Sequence, residues 1–314
     1  MQITLRQLRY FQALATERHF ARAAERVAVS QPALSGQIAA LEEALGGPLV
    51  QRGQPGLPLT PLGRAVLARA ESVLAEARAI ESLARAGAGL SAPLRLGMIP
   101  TVAPYLVPAL VPLIRAEGAS ISIREAVTAV LMEELGGGRI DAAVIALPPD
   151  RPGLETAALF RDPFLLAMPA GAAPVPERPE EIPPARLLLL DEGHCLTGQA
   201  LSACGLRPTG GQVSLGAASL GTLARLVASG EGVTLMPRIA AAAEAPGLAL
   251  HRFAAPEPER EIGLAALAGS SEAPWFPAVA ALLRAAAEAV PAPPLGAAEP
   301  PPTVLGGDAG ADDG

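Results

Sequence analysis

The chain contains no lysine; all 24 of its basic residues are arginine. A phosphate-binding loop that depends on a Walker lysine is therefore excluded, and Gly230-Glu231-Gly232 lacks the third glycine of a dinucleotide loop. Cysteine is almost as scarce, with only Cys195 and Cys204, and the three histidines, His19, His194 and His251, are scattered. Nothing supplies further ligands at the spacing of a tetrahedral metal site, so neither a metal nor a cofactor is expected. No segment reaches 18 uninterrupted apolar residues, and the opening Met1-Gln2-Ile3-Thr4-Leu5-Arg6 has no apolar signal core. These absences point away from membrane spanning and secretion and toward a cytoplasmic chain. In that compartment two cysteines do not form a static framework, and a disulfide between them would be transient and redox-linked.

What is present is a 314-residue chain, 50% hydrophobic, which is enough for more than one core. Its formal charge of -7 is unevenly spread, with +3 on residues 1–90 and -10 on residues 91–314. A mildly basic N-terminal part on an acidic body is compatible with nucleic-acid contact at that end.

Residues 186–204 hold both cysteines. An apolar strand from Leu187 to Leu190 enters the acidic turn Asp191-Glu192-Gly193, and His194 stands directly before Cys195. Leu196, Ala200, Leu201 and Ala203 then suggest a short helix that ends near Cys204. Three readings stay open on residues alone: two buried inert thiols, a metal site short of ligands, or a reversible redox pair. A neighbouring imidazole and a helix N-terminus favour the reactive thiolate, whereas Asp191 and Glu192 oppose it. If the segment is helical, the two Cα atoms lie roughly 13 Å apart. A disulfide needs roughly 4.4–6.8 Å, so oxidation would have to unwind the segment.

Taken in order, Leu5, Leu8, Phe11 and Ala15 predict a first helix over residues 5–17, and Ala21 to Val27 a second. Ser30 is a good N-cap and Pro32 suits the first turn of a third helix, lined by Leu34, Ile38, Leu41 and Leu45 and stopped by Gly46-Gly47. That is a helix-turn-helix, with Gln31, Ser35 and Gln37 available to base edges and phosphates. Val50 to Leu59 reads as a hairpin wing, with Arg52 beside the turn Gly53-Gln54-Pro55-Gly56. Thr60-Pro61 opens a long helix to about Ala88, in which Val66, Ala70, Val73, Ala77, Ile80 and Ala84 form a coiled-coil seam suited to dimerisation. Gly87 to Pro93 is a hinge.

Beyond it, strands near Leu94–Met98, Ile121–Ile123, Ile140–Ala146, Phe164–Met168, Leu187–Leu190, Val233–Met236 and Ile262–Ala268 alternate with helices. This predicts an α/β body with a mostly parallel sheet. Thr101 and Thr128 fall where strand ends meet helix starts, each equally suited to a ligand site or a plain helix cap. From about Pro291 the Pro/Gly/Ala-rich tail offers nothing to pack and is expected to be disordered.

Phe20-Ala-Arg-Ala-Ala-Glu-Arg26, Ser30-Gln-Pro-Ala-Leu-Ser35, Gln37-Ile38 and Leu41-Glu42 resemble the helix-turn-helix of LysR-type transcriptional regulators. Leu226-Val-Ala-Ser-Gly-Glu-Gly-Val-Thr-Leu-Met-Pro237 resembles their regulatory domain, and the likeness runs over roughly residues 3–290. The resemblance implies an α/β protein with an N-terminal all-α winged helix-turn-helix, a long linker helix and a two-subdomain, periplasmic-binding-protein-like regulatory domain. The expected divisions are residues 1–59 for DNA binding, 60–92 for the linker and hinge, 93–290 for regulation, and 291–314 for the tail. The regulatory part would divide into 93–161 with 266–290, and 162–265.

Within the family, Ile99-Pro-Thr-Val-Ala-Pro-Tyr-Leu106, Asp191-Glu-Gly-His-Cys-Leu196 and the Cys195 to Cys204 spacing resemble its peroxide-sensing members. By that resemblance Cys195 is oxidised to a sulfenic acid and resolved by Cys204, and Thr101, Thr128 and His194 bind and polarise hydrogen peroxide. The expected DNA-contacting residues are Arg22, Ser30, Gln31, Pro32, Ser35, Gln37 and Arg52. The implied partners are double-stranded DNA, hydrogen peroxide, further copies of the chain in a dimer or tetramer, RNA polymerase, and a thiol reductant of the glutaredoxin or thioredoxin type. The protein would control antioxidant genes and would not be an enzyme. The alternative is a regulator of the same family answering to a small metabolite, with the cysteines incidental.

The sequence departs from the family in two places. Pro55 and Gly56 stand in the wing where relatives carry basic residues. Leu267 falls where relatives place an arginine linked to peroxide reactivity, which leaves Arg260 or another arginine to substitute in space.

Overall fold

The computed structural model describes residues 3–54, 56–86, 90, 92–149, 151, 153–191, 193–206, 216–293 and 295. Pro55 of the expected wing, residues 87–89 and 91 of the expected hinge, Glu192, and residues 294 and 296–314 of the expected tail lie outside them.

The N-terminal helices form where their caps and apolar stripes dictate. Helix α1 (Leu5–Glu17) starts on a capping box, in which the Gln7 amide N–H donates to Thr4 Oγ1 and the Thr4 amide N–H to Gln7 Oε1. Helix α2 (Phe20–Arg26) packs closely through the small, buried Ala23 and Ala24. Helix α3 (Gln31–Leu45) starts at Ser30, whose hydroxyl accepts from the Ala33 amide, and ends at Gly46 in the left-handed region, where a side chain would be strained. Phe11, Leu14, Leu34, Ile38 and Leu41 close this core.

Among its described residues the wing is held by one antiparallel bridge, Val50 to Leu59. Helix α4 (Pro61–Ala86) follows, capped by the Thr60 hydroxyl, which accepts from the Gly63 amide at 2.9 Å. Gly63 is required there because a Cβ would collide with the Leu49 carbonyl. The expected seam of α4 divides. Val66 and Ala70, with Leu67 and Leu74, pack on the helix-turn-helix core, while Val73 (45% exposed) and Ile80 (69%) face outward.

The regulatory part is built on a seven-stranded sheet of order β2-β1-β3-β9-β4-β7, with β8 also on β4. Strands β1 (Leu94–Met98), β2 (Ile121–Glu125) and β3 (Ala142–Leu147) are parallel, as βαβ units linked by α5 (Ala103–Ala116) and α6 (Thr128–Gly136) require. The rest is not. Strand β9 (Glu259–Leu267) runs antiparallel to β3 and to the first half of β4 (Leu154–Pro169), whose second half runs antiparallel to β7 (Thr234–Pro237) and β8 (Leu248–Arg252). The mostly parallel sheet expected from sequence is thus corrected to a mixed one. The reason is β4, a 16-residue strand that passes through both subdomains and is paired on antiparallel edges in each.

Each subdomain has its own core. The first gathers Met98, Leu106, Leu131, Val144, Leu264 and Leu283, and the second Phe164, Leu166, Leu223, Val227, Met236 and Leu250. By strand pairing the chain re-enters the first subdomain at Glu259, ahead of residue 266. The two subdomains are also tied by α9 (Arg238–Glu244). Ile239 sits in the first core, and Glu244 accepts a hydrogen bond from the Tyr105 hydroxyl of α5 at 3.0 Å. Burial, then the facing Glu244 carboxylate, push the Tyr105 phenol well above its ordinary range.

Candidate functional site

Cys195 opens helix α7 (Cys195–Ala203) and Cys204 is its C-cap residue; the helix follows the short strand β5 (Leu189–Leu190). The turn before it is held at three points. The Asp191 amide donates to the Ala217 carbonyl, the His194 amide to the Asp191 carbonyl, and the buried Thr197 hydroxyl to the Leu190 carbonyl at 2.9 Å. His194 is the N-cap residue, but its imidazole makes no capping bond. Cys195 is the first residue of the helix.

Cys195 is half-buried and packs against the core of the first subdomain, whereas Leu196, Ala200 and Cys204 belong to the second. Helix α7 therefore lies along the seam between subdomains. Gly193 sits beside Val127 at the start of α6. Cys204 caps the far end of α7, its amide donating to the Ala200 carbonyl, and is buried. Burial, reinforced by the Glu180 carboxylate, pushes its thiol up to about 11. Both thiols are free, with a full helix between them.

Neither expected threonine is a helix cap. Val102 and Val127 hold the N-cap positions of α5 and α6. Buried Thr101 instead accepts a 2.8 Å hydrogen bond on Oγ1 from Nη1 of Arg260, whose Nη2 also donates to the Thr101 carbonyl at 3.2 Å. Thr128 is the first residue of α6, and its hydroxyl oxygen is buried with no hydrogen-bond partner. Among the described residues one further buried acceptor is left over, Oε1 of Gln199. This residue was not foreseen, although it lies four residues after Cys195 and so on the same face of α7. A buried oxygen without a donor costs about 1–3 kcal/mol, so a small hydroxylic molecule that donates to it would be held there.

Leu267 closes the far end of β9 and pairs with Leu154, seven residues and roughly 23 Å along the strand from Arg260. It is Arg260 that reaches Thr101.

On the helix-turn-helix, Gln31 and Pro32 are exposed at the start of α3, and Ser35 and Gln37 are half-buried on its flanks. The Ser30 side chain is committed to its cap. Arg22 is largely exposed and donates to the Glu17 carbonyl at 2.8 Å. Arg52 is held by Glu42 at 2.7 Å, so a phosphate would have to displace that carboxylate. The outermost face of α3 is made of Pro32, Ala33, Gly36 and Ala39, small residues that let the helix approach a groove closely.

A winged helix-turn-helix joined through a long helix to a two-subdomain α/β body defines a DNA-binding regulator with its own sensing domain. The chain belongs to the LysR family. Residues 5–64 match the bacterial regulatory helix-turn-helix protein, lysR family, and residues 87–290 match the LysR substrate binding domain. Among curated relatives, a probable hydrogen peroxide-inducible genes activator from Streptomyces viridosporus is 42% identical over 305 residues, covering 92% of this chain and 96% of the relative. The DNA-binding transcriptional dual regulator OxyR of Escherichia coli K12 is 35% identical over 293 residues, covering 90% and 95%.

Among solved structures, a full-length cysteine-to-aspartate OxyR from Pseudomonas aeruginosa is 37% identical with a TM-score of 0.69, covering 92% of this chain and 96% of that one. A hydrogen-peroxide-bound cysteine mutant of Corynebacterium glutamicum OxyR is 34% identical with a TM-score of 0.59, covering 92% and 94%. No helix among the described residues is long and apolar enough to cross a membrane.

Proposed function

We propose that this chain is a transcriptional regulator that senses hydrogen peroxide through a reversible Cys195–Cys204 disulfide and controls antioxidant genes. The observation that carries the reading is the placement of two free thiols at opposite ends of α7, the first on a subdomain seam and two residues after Gly193, which sits beside Val127 at the start of α6. There Thr128 leaves a buried oxygen without a partner.

Peroxide has two O–H donors and lone pairs to receive others. Thr128, Thr101 and His194 orient it, Arg260 fixes Thr101, and the α7 N-terminus favours negative charge at the reacting oxygens. The Cys195 thiolate attacks one oxygen, the O–O bond breaks, and the departing hydroxide takes a proton to leave as water. Cys195 is left as a sulfenic acid. The Cys204 thiol then displaces that hydroxyl group, forming the S–S bond and releasing a second water.

Because α7 holds the sulfurs apart, closure unwinds it. The closed loop restricts the chain by about 2.6 kcal/mol on the loop-entropy account, enough to bias two nearly balanced arrangements of the regulatory domain. A glutaredoxin- or thioredoxin-type dithiol in the reducing cytoplasm resets the switch. The oxidised state is read out at DNA through the helix-turn-helix, so in this reading the protein acts as a sensor and not as an enzyme.

In this reading Gln31, Pro32, Ser35 and Gln37 meet the major groove, with Ser30, Arg22 and Arg52 along the phosphates. Residues 60–92 join copies into a dimer or tetramer through the outward Val73 and Ile80. The oxidised assembly engages RNA polymerase at its promoters. Footprints of reduced and oxidised full-length protein test the reading, with a changed spacing of protected half-sites expected. Effector-dependent DNA binding that survives Cys195→Ser would select a metabolite-responsive regulator instead.

A further inference from the structure

Asp162 stands where β4 passes from the first subdomain to the second, and three elements meet at its carboxylate. Its side chain and that of Arg260 are each 1% exposed. Oδ2 accepts from Arg260 Nε at 2.9 Å and lies 2.8 Å from Nη2, while Oδ1 accepts from the Ile239 amide of α9 at 2.9 Å. Arg260 also donates to Thr101, through Nη1 to the hydroxyl and through Nη2 to the carbonyl. The guanidinium is thus fixed from both sides, with Asp162 behind it and Thr101 in front.

We propose that Asp162 is a positioning residue for the peroxide reaction. It aims Arg260 at Thr101 so that the threonine hydroxyl, with a lone pair occupied, turns its own proton toward the site. It also fastens that arrangement to α9 of the second subdomain. Asp162 and Arg260 together carry no net charge, so the pair acts on Thr101 through direction more than through a field at the thiolate. This inference rests on the peroxide reading above.

That distinction sets the test. In full-length protein carrying Cys204→Ser, the rate of Cys195 oxidation by hydrogen peroxide is compared with its rate of alkylation by iodoacetamide, which needs the thiolate but no Thr101 contact. Asp162→Asn leaves Arg260 without its anchor, and the peroxide-to-alkylation ratio is expected to fall about tenfold. Asp162→Glu keeps the charge but displaces the guanidinium by one methylene, with a fall of roughly threefold expected.

In a cycle with Arg260→Met, Asp162→Asn should add almost nothing, since both act through one contact. Folding is checked by near-UV circular dichroism. If Asp162→Asn does not fold, Asp162→Glu decides alone. A folded variant with the wild-type ratio overturns the proposal, as does a peroxide rate that merely follows the alkylation rate. Wild-type protein that meets peroxide no faster than a free thiol would overturn the peroxide reading itself, and this inference with it.

Discussion

Gly198 occupies the fourth position of α7, exposed, with nothing within 4 Å of where a Cβ would stand and with no unusual backbone angle to protect. Alanine should therefore enter without a clash. In a helix interior it is worth about 1 kcal/mol over glycine, because less chain entropy is lost on folding. The two cysteines sit nine residues apart on this helix, and their Cα atoms must approach by roughly 7 Å before an S–S bond can form.

If α7 has to unwind before closure, Gly198→Ala raises the barrier to that step by the helix stabilisation, and disulfide formation slows roughly fivefold. Sulfenic acid formation on Cys195 needs no unwinding and keeps its rate. Rapid quenching with a dimedone-type trap and intact mass separates the two steps. The variant should accumulate the trapped sulfenic acid for longer at an unchanged rate of its appearance. Closure as fast as in the wild type, or faster, would show that helix unwinding does not limit the switch and would refute the argument.

Other consequences follow from the same geometry. Thr128→Val removes a buried oxygen with no partner, so stability should rise by up to about 1 kcal/mol in urea melts while peroxide oxidation slows about tenfold. Burial holds Cys204 protonated in the fold, its value raised from 9.0 to about 11, so its contribution to stability is complete below pH 9 and is lost as pH rises toward 11. The denaturation midpoint of wild type should therefore fall more steeply over that range than that of Cys204→Ala, compared by urea titration. Ile80→Asp places a charge on the outward face of α4 and should shift the assembly to smaller species in light scattering, with the monomer fold retained.

Much of this molecule is written locally. The caps at Thr4 and Ser30, the stop at Gly46 and the Thr60-Pro61 helix start are short-range signals, and each element begins or ends there. Helix α7 and its two terminal cysteines were legible for the same reason. What escaped is long-range. The first half of β4 buries alternate residues only weakly, and Pro163 within it reads as a break, so only Phe164–Met168 stood out. Strand β8 and the alanine-rich α9 carry no periodic stripe of large side chains. The antiparallel partners of β4 lie far along the chain, which is why the sheet read as parallel. The Thr101–Arg260–Asp162 arrangement joins residues 159 and 98 positions apart and leaves no local trace. Locally, Thr101 and Thr128 suited a ligand site and a helix cap equally, and only the geometry excludes the cap.

The most direct test of the account is a brief, near-stoichiometric peroxide pulse on reduced full-length protein, read by thiol labelling and intact mass beside Cys195→Ser. The account predicts rapid loss of both thiols in the wild type, reversal by a dithiol, and retention of the Cys204 thiol in the mutant. Two thiols that stay free after the pulse would contradict it.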